Sequence, residues 1–150
     1  MGSNAASSSL DWSRLSPGTR IAAVGALLIV PAVFMPWVEV SIGATSEGAR
    51  GWDAFRLAQL AFVAALVALV VLVLEQTRPD VTLSVPAPVI LTACGAIALA
   101  GAIWHLVFLP GTDAAARGLP IEVGRAYGVF VAVAAAAALT YGGWRRLQEA

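Results

Sequence analysis

The sequence predicts an all-helical (all-α) integral membrane protein, a four-transmembrane-helix bundle with both termini on one side. Three observations carry this. The chain of 150 residues is 59% hydrophobic and 12% charged, whereas a soluble domain is nearer half apolar and about a quarter charged; its mean hydropathy is +0.83. The apolar residues gather into four runs, each close to the ~20 residues that cross a hydrocarbon core of about 30 Å. Trp37 and Trp52 bracket the first connection, the position of an aromatic belt where two spans leave a membrane on the same side. The length is that of one domain. Net charge is zero and no basic run occurs, so nucleic acid is excluded as a partner.

Residues 1-15 read as a tail. Met1 to Ser9 is serine-rich and aperiodic, the composition of a disordered segment. Trp12 and Leu15 can lie in the interface with Arg14 toward headgroups. Ser16 and Pro17 form a helix start, an N-cap followed by proline at the first helical position. The membrane domain then covers 16-146, with a tail at 147-150. The first span is expected over about 20-37. Pro31 removes the donor for the Leu27 carbonyl and should kink it. Arg14 and Arg20 provide a basic flank, but Pro31 and the lack of a small-x-small site argue against a cleaved signal peptide.

Residues 38-50 form the first outer loop. Val38-Glu39-Val40-Ser41-Ile42 alternates as a strand does, and Gly43 and Gly48 break it, which allows a short hairpin. The second span, about 52-74, carries Asp53, Arg56 and Gln59 at three-residue spacing in its first turns, too polar for lipid and expected to turn inward or snorkel. Leu60 to Leu74 is purely apolar, with Leu72 placed toward lipid. Glu75 to Val85 makes a short inner connection.

Pro86 and Pro88 open the third span, about 87-109. Cys94, Gly95, Ala98, Gly101 and Ala102 form a ridge of small residues that permits close helix approach. The expected partner is the alanine-rich fourth span, about 124-144. Trp104 and His105 mark the far end of the third span, and Pro110-Gly111 stops it. Thr112 to Pro120 is a second outer loop holding Asp113 and Arg117. Tyr141, Trp144, Arg145 and Arg146 are expected as inner-interface anchors. Arg14, Arg20, Arg78, Arg145 and Arg146 lie on the terminal side against Arg50, Arg56, Arg117 and Arg125 on the other, a balance that puts the termini in the cytoplasm.

Several short motifs punctuate this frame: Pro36-Trp37 at the end of the first span, Gly51-Trp52-Asp53-Ala54-Phe55 opening the second, Pro110-Gly111 after the third, Tyr127-Gly128, and Gly142-Gly143-Trp144-Arg145 before a basic tail. In these the chain, from Leu15 onward, resembles a group of small four-span membrane proteins common in actinobacteria. Leu109 stands where that group has a second proline. The resemblance implies topology and bacterial origin, with the cytoplasmic membrane as location, and no particular activity. The exclusive use of arginine among the basic residues, beside abundant alanine, also suits a GC-rich bacterial genome.

No residue pattern points to catalysis, a cofactor or a metal. His105 is the sole histidine and Cys94 the sole cysteine, so a thiolate metal cluster and an internal disulfide are both excluded, and no carboxylate lies within a turn of His105 to complete a metal site with it. His105 reads as a satisfied interfacial histidine and Cys94 as a small packed hydrophobe. Glu39 and Asp53 are expected to pair with Arg50 or Arg56. The residues singled out for outer-face interaction are Trp37, Glu39, Trp52, Asp53, Arg56, Gln59 and His105; those for helix packing are Gly95, Ala98, Gly101 and Ala102. The expected role is non-enzymatic: a structural or accessory subunit, or scaffold, with the lipid bilayer and another membrane protein or a second copy as partners. A small channel or carrier for a small or lipidic molecule is the alternative, motivated by Pro31 and the Arg56-Gln59 pair.

Overall fold

The computed structural model describes residues 11–108, 118 and 121–149. The tail before Asp11 and the expected features at Pro110-Gly111, Asp113 and Arg117 lie outside these residues. A single 3-10 turn at Trp12–Arg14 precedes α1 (Pro17–Phe34). There follow β1 (Pro36–Ile42), β2 (Thr45–Arg50), a one-turn α2 (Gly51–Ala54) and α3 (Arg56–Thr77). The chain continues through α4 (Ala87–Val107), β3 (Ile121–Arg125) and α5 (Tyr127–Glu149). Four helices, α1, α3, α4 and α5, are long and apolar enough to cross a membrane.

The chain is mostly helical but not all-α: a three-stranded antiparallel sheet in the order β2-β1-β3 stands at one end of the helices. Pro36-Trp37, assigned to the first span for its apolarity, belongs to this sheet. Proline biases the residue before it toward extended backbone, and Met35, at ψ 157°, caps α1 in that way. Phe55 is likewise extended (φ −138°, ψ 122°) and separates α2 from α3, so the second long helix starts at Arg56 and not at Trp52. The fourth starts at Tyr127, because residues 121–125 pair with β1, and it runs on to Glu149. The start of α1 follows its signals: Ser16 accepts a hydrogen bond from the Thr19 amide, with Pro17 at the first helical position. α1 continues through Pro31 to Phe34.

The helices pack as a ring in which α5 touches α1 and α4, α4 touches α3, and α3 touches α1 through the sparsest of the four seams. The buried residues on the helices are mainly alanine, with Ile29, Leu91, Val129 and Leu139 among the larger ones. Small residues set the spacing. A Cβ on Gly25 would stand 2.5 Å from the Leu139 amide nitrogen, and one on Gly142 2.4 Å from that of Ala22; α1 and α5 are therefore in backbone contact, where dispersion rather than a hydrophobic force supplies attraction in lipid. Gly95 and Gly143 seat α4 on α5 in the same way, against Thr140 and Thr92. Gly101 faces Leu57 of α3 instead, at an ordinary 3.5 Å, so the small-residue ridge of α4 serves two neighbours. Ala98 and Ala102 are buried. Leu72 is 5% exposed, not lipid-facing: it lies on the stripe of α3 that also buries Ala61, Ala65, Ala68 and Val71.

Candidate functional site

The sheet end of the molecule is organised by Trp37. Its side chain is 1% exposed, which corrects its placement in an outer aromatic belt. The indole Nε1 donates to the Ala32 carbonyl at 2.8 Å, and the Met35 amide donates to the same oxygen at 3.2 Å. Together they satisfy a carbonyl that the end of α1 leaves open. The ring is seated by two missing side chains: a Cβ on Gly51 would lie 2.6 Å from Trp37 Cε2, and one on Gly128 2.9 Å from Cδ1. Phe55 and His105 close the remaining sides, at centroid distances of 6.1 and 5.8 Å. The backbone follows the same plan. The Gly51 amide donates to the Met35 carbonyl and the Ala126 amide to the Trp37 carbonyl, so the junction of α1 and β1 is tied to α2, and β1 to the residue before α5.

His105 packs against Phe55 at a centroid distance of 4.0 Å, the rings tilted by 39°. Its Nε2 is enclosed without a hydrogen-bond partner among the described residues, so it fills space as an aromatic ring and is not satisfied at that atom as the sequence suggested. Trp52 is half-buried and stacks on Phe34 at 5.5 Å, with Phe62 edge-on to both. This second aromatic group joins α1, α2 and α3. Gln59 donates from Nε2 to the Trp52 carbonyl at 3.0 Å, and Arg56 is exposed; neither turns into the helix core. Among the described residues Glu39 and Asp53 form no ion pair with Arg50 or Arg56.

The sheet has two unlike faces. Residues opposite one another in an antiparallel ladder project to the same side, so one face gathers Val38, Val40 and Ile42 with Ala49 and Val123, and toward its edges the exposed Thr45, Glu47 and Arg125. Val38 is buried, and Val40 and Val123 pack on the core. The other face gathers Glu39, Ser41, Ser46 and Glu122, of which Glu39, Ser46 and Glu122 are exposed. Glu39 lies between Gly48 on β2 and Gly124 on β3, so no side chain stands directly opposite it on either strand. The tight end of the hairpin uses Gly43 at φ 60°, a conformation glycine adopts without steric cost. Arg125 donates from Nε to the Leu106 carbonyl, a favourable charge at the open carbonyls of α4.

At the opposite end, sequence reasoning missed a clamp. Arg146 on α5 makes a fork to Glu75 on α3, at 2.7 and 3.0 Å. The pair is partly buried, with side-chain exposures of 18% and 26%. Arg145 bonds within its own helix to Glu149. The polar groups at mid-depth are spent locally: Thr92 and Thr140 donate to the Pro88 and Ala136 carbonyls one turn back. Thr19 is the buried polar side chain of the described core, and it shares a hydrogen bond with Ser16. The described residues hold no group of three or more histidine, cysteine, aspartate or glutamate side chains that could bind a metal.

Comparison with known proteins adds no identity to this geometry: no family model, no curated protein and no solved structure matches the chain.

Proposed function

We propose that the chain is a four-span membrane protein of the bacterial cytoplasmic membrane, with both termini cytoplasmic. On this reading the helices are a rigid mount, and the sheet is an interaction module presented on the outer face. The role is that of an accessory subunit or scaffold, not of an enzyme. The observation that carries it is the seating of Trp37, which locks β1 to α1, α2, α4 and α5 while the face bearing Glu39, Ser46 and Glu122 stays exposed. A sheet fixed in this way presents its polar face with little loss of entropy on association. The resemblance to small actinobacterial four-span proteins supports the location and the topology. The channel or carrier alternative lacks a comparable support. Its motivating pair, Arg56 and Gln59, lies outside the core, and the mid-depth threonines are occupied by their own helices.

The test is cross-linking in native membranes from a photoreactive side chain at Ser46, with the same group at Val70, on the exposed face of α3, as comparison. A discrete adduct from Ser46 and only lipid from Val70 is the expected outcome. No protein adduct from Ser46, with a strict monomer in mild detergent, would end the scaffold reading.

A further inference from the structure

The seam between α1 and α3 does not close along its whole length. Toward the start of α1 and the end of α3 it opens into a groove of about 210 Å³, flanked by Ala23 and Leu27 on one side and Leu69 and Val73 on the other, with Trp12 and Gln76 at its mouth. The surface turned into the groove is apolar. From Thr19 to Leu27 it follows α1 for roughly 12 Å at the rise of an α-helix, most of the depth of one leaflet of a core about 30 Å thick. An empty apolar groove forfeits the contacts its walls could make. Within a bilayer the material that supplies them is hydrocarbon chain.

Two arginines, Arg14 and Arg20, are neighbours in sequence of the residues that line this end of the groove. Arg14 is offset by Asp11 at 3.1 Å. Arg20 donates to the Ser13 carbonyl at 2.8 Å, which holds its guanidinium beside the turn that contributes Trp12. Among the described residues no carboxylate pairs with Arg20; its Nε is enclosed without a hydrogen-bond partner, which leaves the outer guanidinium nitrogens to meet an anion. Trp12, half exposed at the mouth, is the amphipathic ring type found at headgroup level. We infer that the α1–α3 groove holds one acyl chain of an anionic phospholipid, with the lipid phosphate against Arg20. This rests on the reading that α1 and α3 span a bilayer.

The full chain is reconstituted into bilayers of equal dioleoyl phosphatidylglycerol and dioleoyl phosphatidylcholine, extracted in mild detergent and weighed by native mass spectrometry. The expected result is one retained phosphatidylglycerol. Ala23→Phe fills the groove and should abolish retention. Leu27→Trp blocks its deep end from a position already 55% exposed, so it reads the same loss without disturbing the packed core. Arg20→Gln should lower retention of phosphatidylglycerol about fivefold, the share of one arginine near an anionic surface, and leave phosphatidylcholine unchanged. Val67→Phe, on an exposed stretch of α3, should retain lipid as the parent does. Equal retention of the two lipids by the parent chain, no retained lipid, or retention unchanged in Leu27→Trp would each overturn the inference. Alkaline carbonate washing of the starting membranes separates the two levels. Protein released by the wash defeats the membrane reading itself, whereas protein that stays embedded yet binds no lipid defeats only the groove.

Discussion

Gly95 and Gly101 stand on the same helix, and the same substitution should act on them with opposite signs. A Cβ at Gly95 would lie 2.5 Å from both the amide nitrogen and the hydroxyl of Thr140, and 2.7 Å from its Cα. The hydroxyl is held by its bond to the Ala136 carbonyl at 2.8 Å, and the other atoms are backbone, so α4 and α5 must separate by roughly 1 Å to restore van der Waals contact. Overpacking of this kind costs about 1–3 kcal/mol. At Gly101 the nearest atom is Leu57 Cβ at 3.5 Å, already an ordinary contact. Both changes to alanine gain the same helix propensity, about 0.5–1 kcal/mol. Gly101→Ala should therefore leave the protein as stable as the parent or slightly more so, and Gly95→Ala, with that gain subtracted from the overpacking cost, should fall below it by about 0.5–2 kcal/mol. The assay is reversible unfolding in mixed micelles, with far-UV circular dichroism as the probe. Equal midpoints for the two variants would refute the idea that backbone contact between α4 and α5 holds the core.

Three further outcomes are expected. Trp37→Phe removes the indole donor to Ala32 and leaves part of a sealed pocket empty, which should cost about 1–3 kcal/mol in the same unfolding assay; an unchanged midpoint would show that the pocket does not hold the sheet. A double-mutant cycle on Glu75→Gln and Arg146→Met should give a coupling of about 1 kcal/mol, modest because both side chains keep some contact with solvent, and it should shrink in high salt; zero coupling at low salt would argue that the fork is ornamental. Cys94 replaced by alanine and Thr45→Cys introduced at the hairpin should yield a protein labelled by an impermeant maleimide from outside intact cells; labelling only after lysis would reverse the threading.

The four long helices are legible in the sequence because apolar run length is a local property. Their ends are less so. Pro36-Trp37 is as apolar as the helix before it, and only the pairing of β1 with β2 and β3 shows that it has left the helix. The hairpin is announced by the alternation from Val38 to Ile42. β3 carries the same alternation in Ile121-Glu122-Val123, but it abuts a long apolar run and pairs with residues about eighty positions earlier, a relation no local window contains. The burial of Trp37 is the hardest feature to read. What seats it is the absence of side chains at Gly51 and Gly128, and an absence acquires meaning only when the fold brings it beside a ring. The fork between Glu75 and Arg146 was hidden for a related reason: each residue taken alone resembles a headgroup anchor.

The central place of α5 bears on how the protein is made. Of the ring's four seams, the two fitted by backbone contact at glycine both involve this helix, which the ribosome delivers after α1, α3 and α4. Until it arrives, the faces of α1 at Gly25 and of α4 at Gly95 lack the helix that fills them; on the reading that the helices span a bilayer, lipid chains occupy those notches. On that reading the α1–α5 and α4–α5 seams form together, in one late step, when the last helix arrives. A chain stopped before Ile121 would lack both that step and β3, and would leave the faces of α1 at Gly25 and of α4 at Gly95 without the helix that fills them.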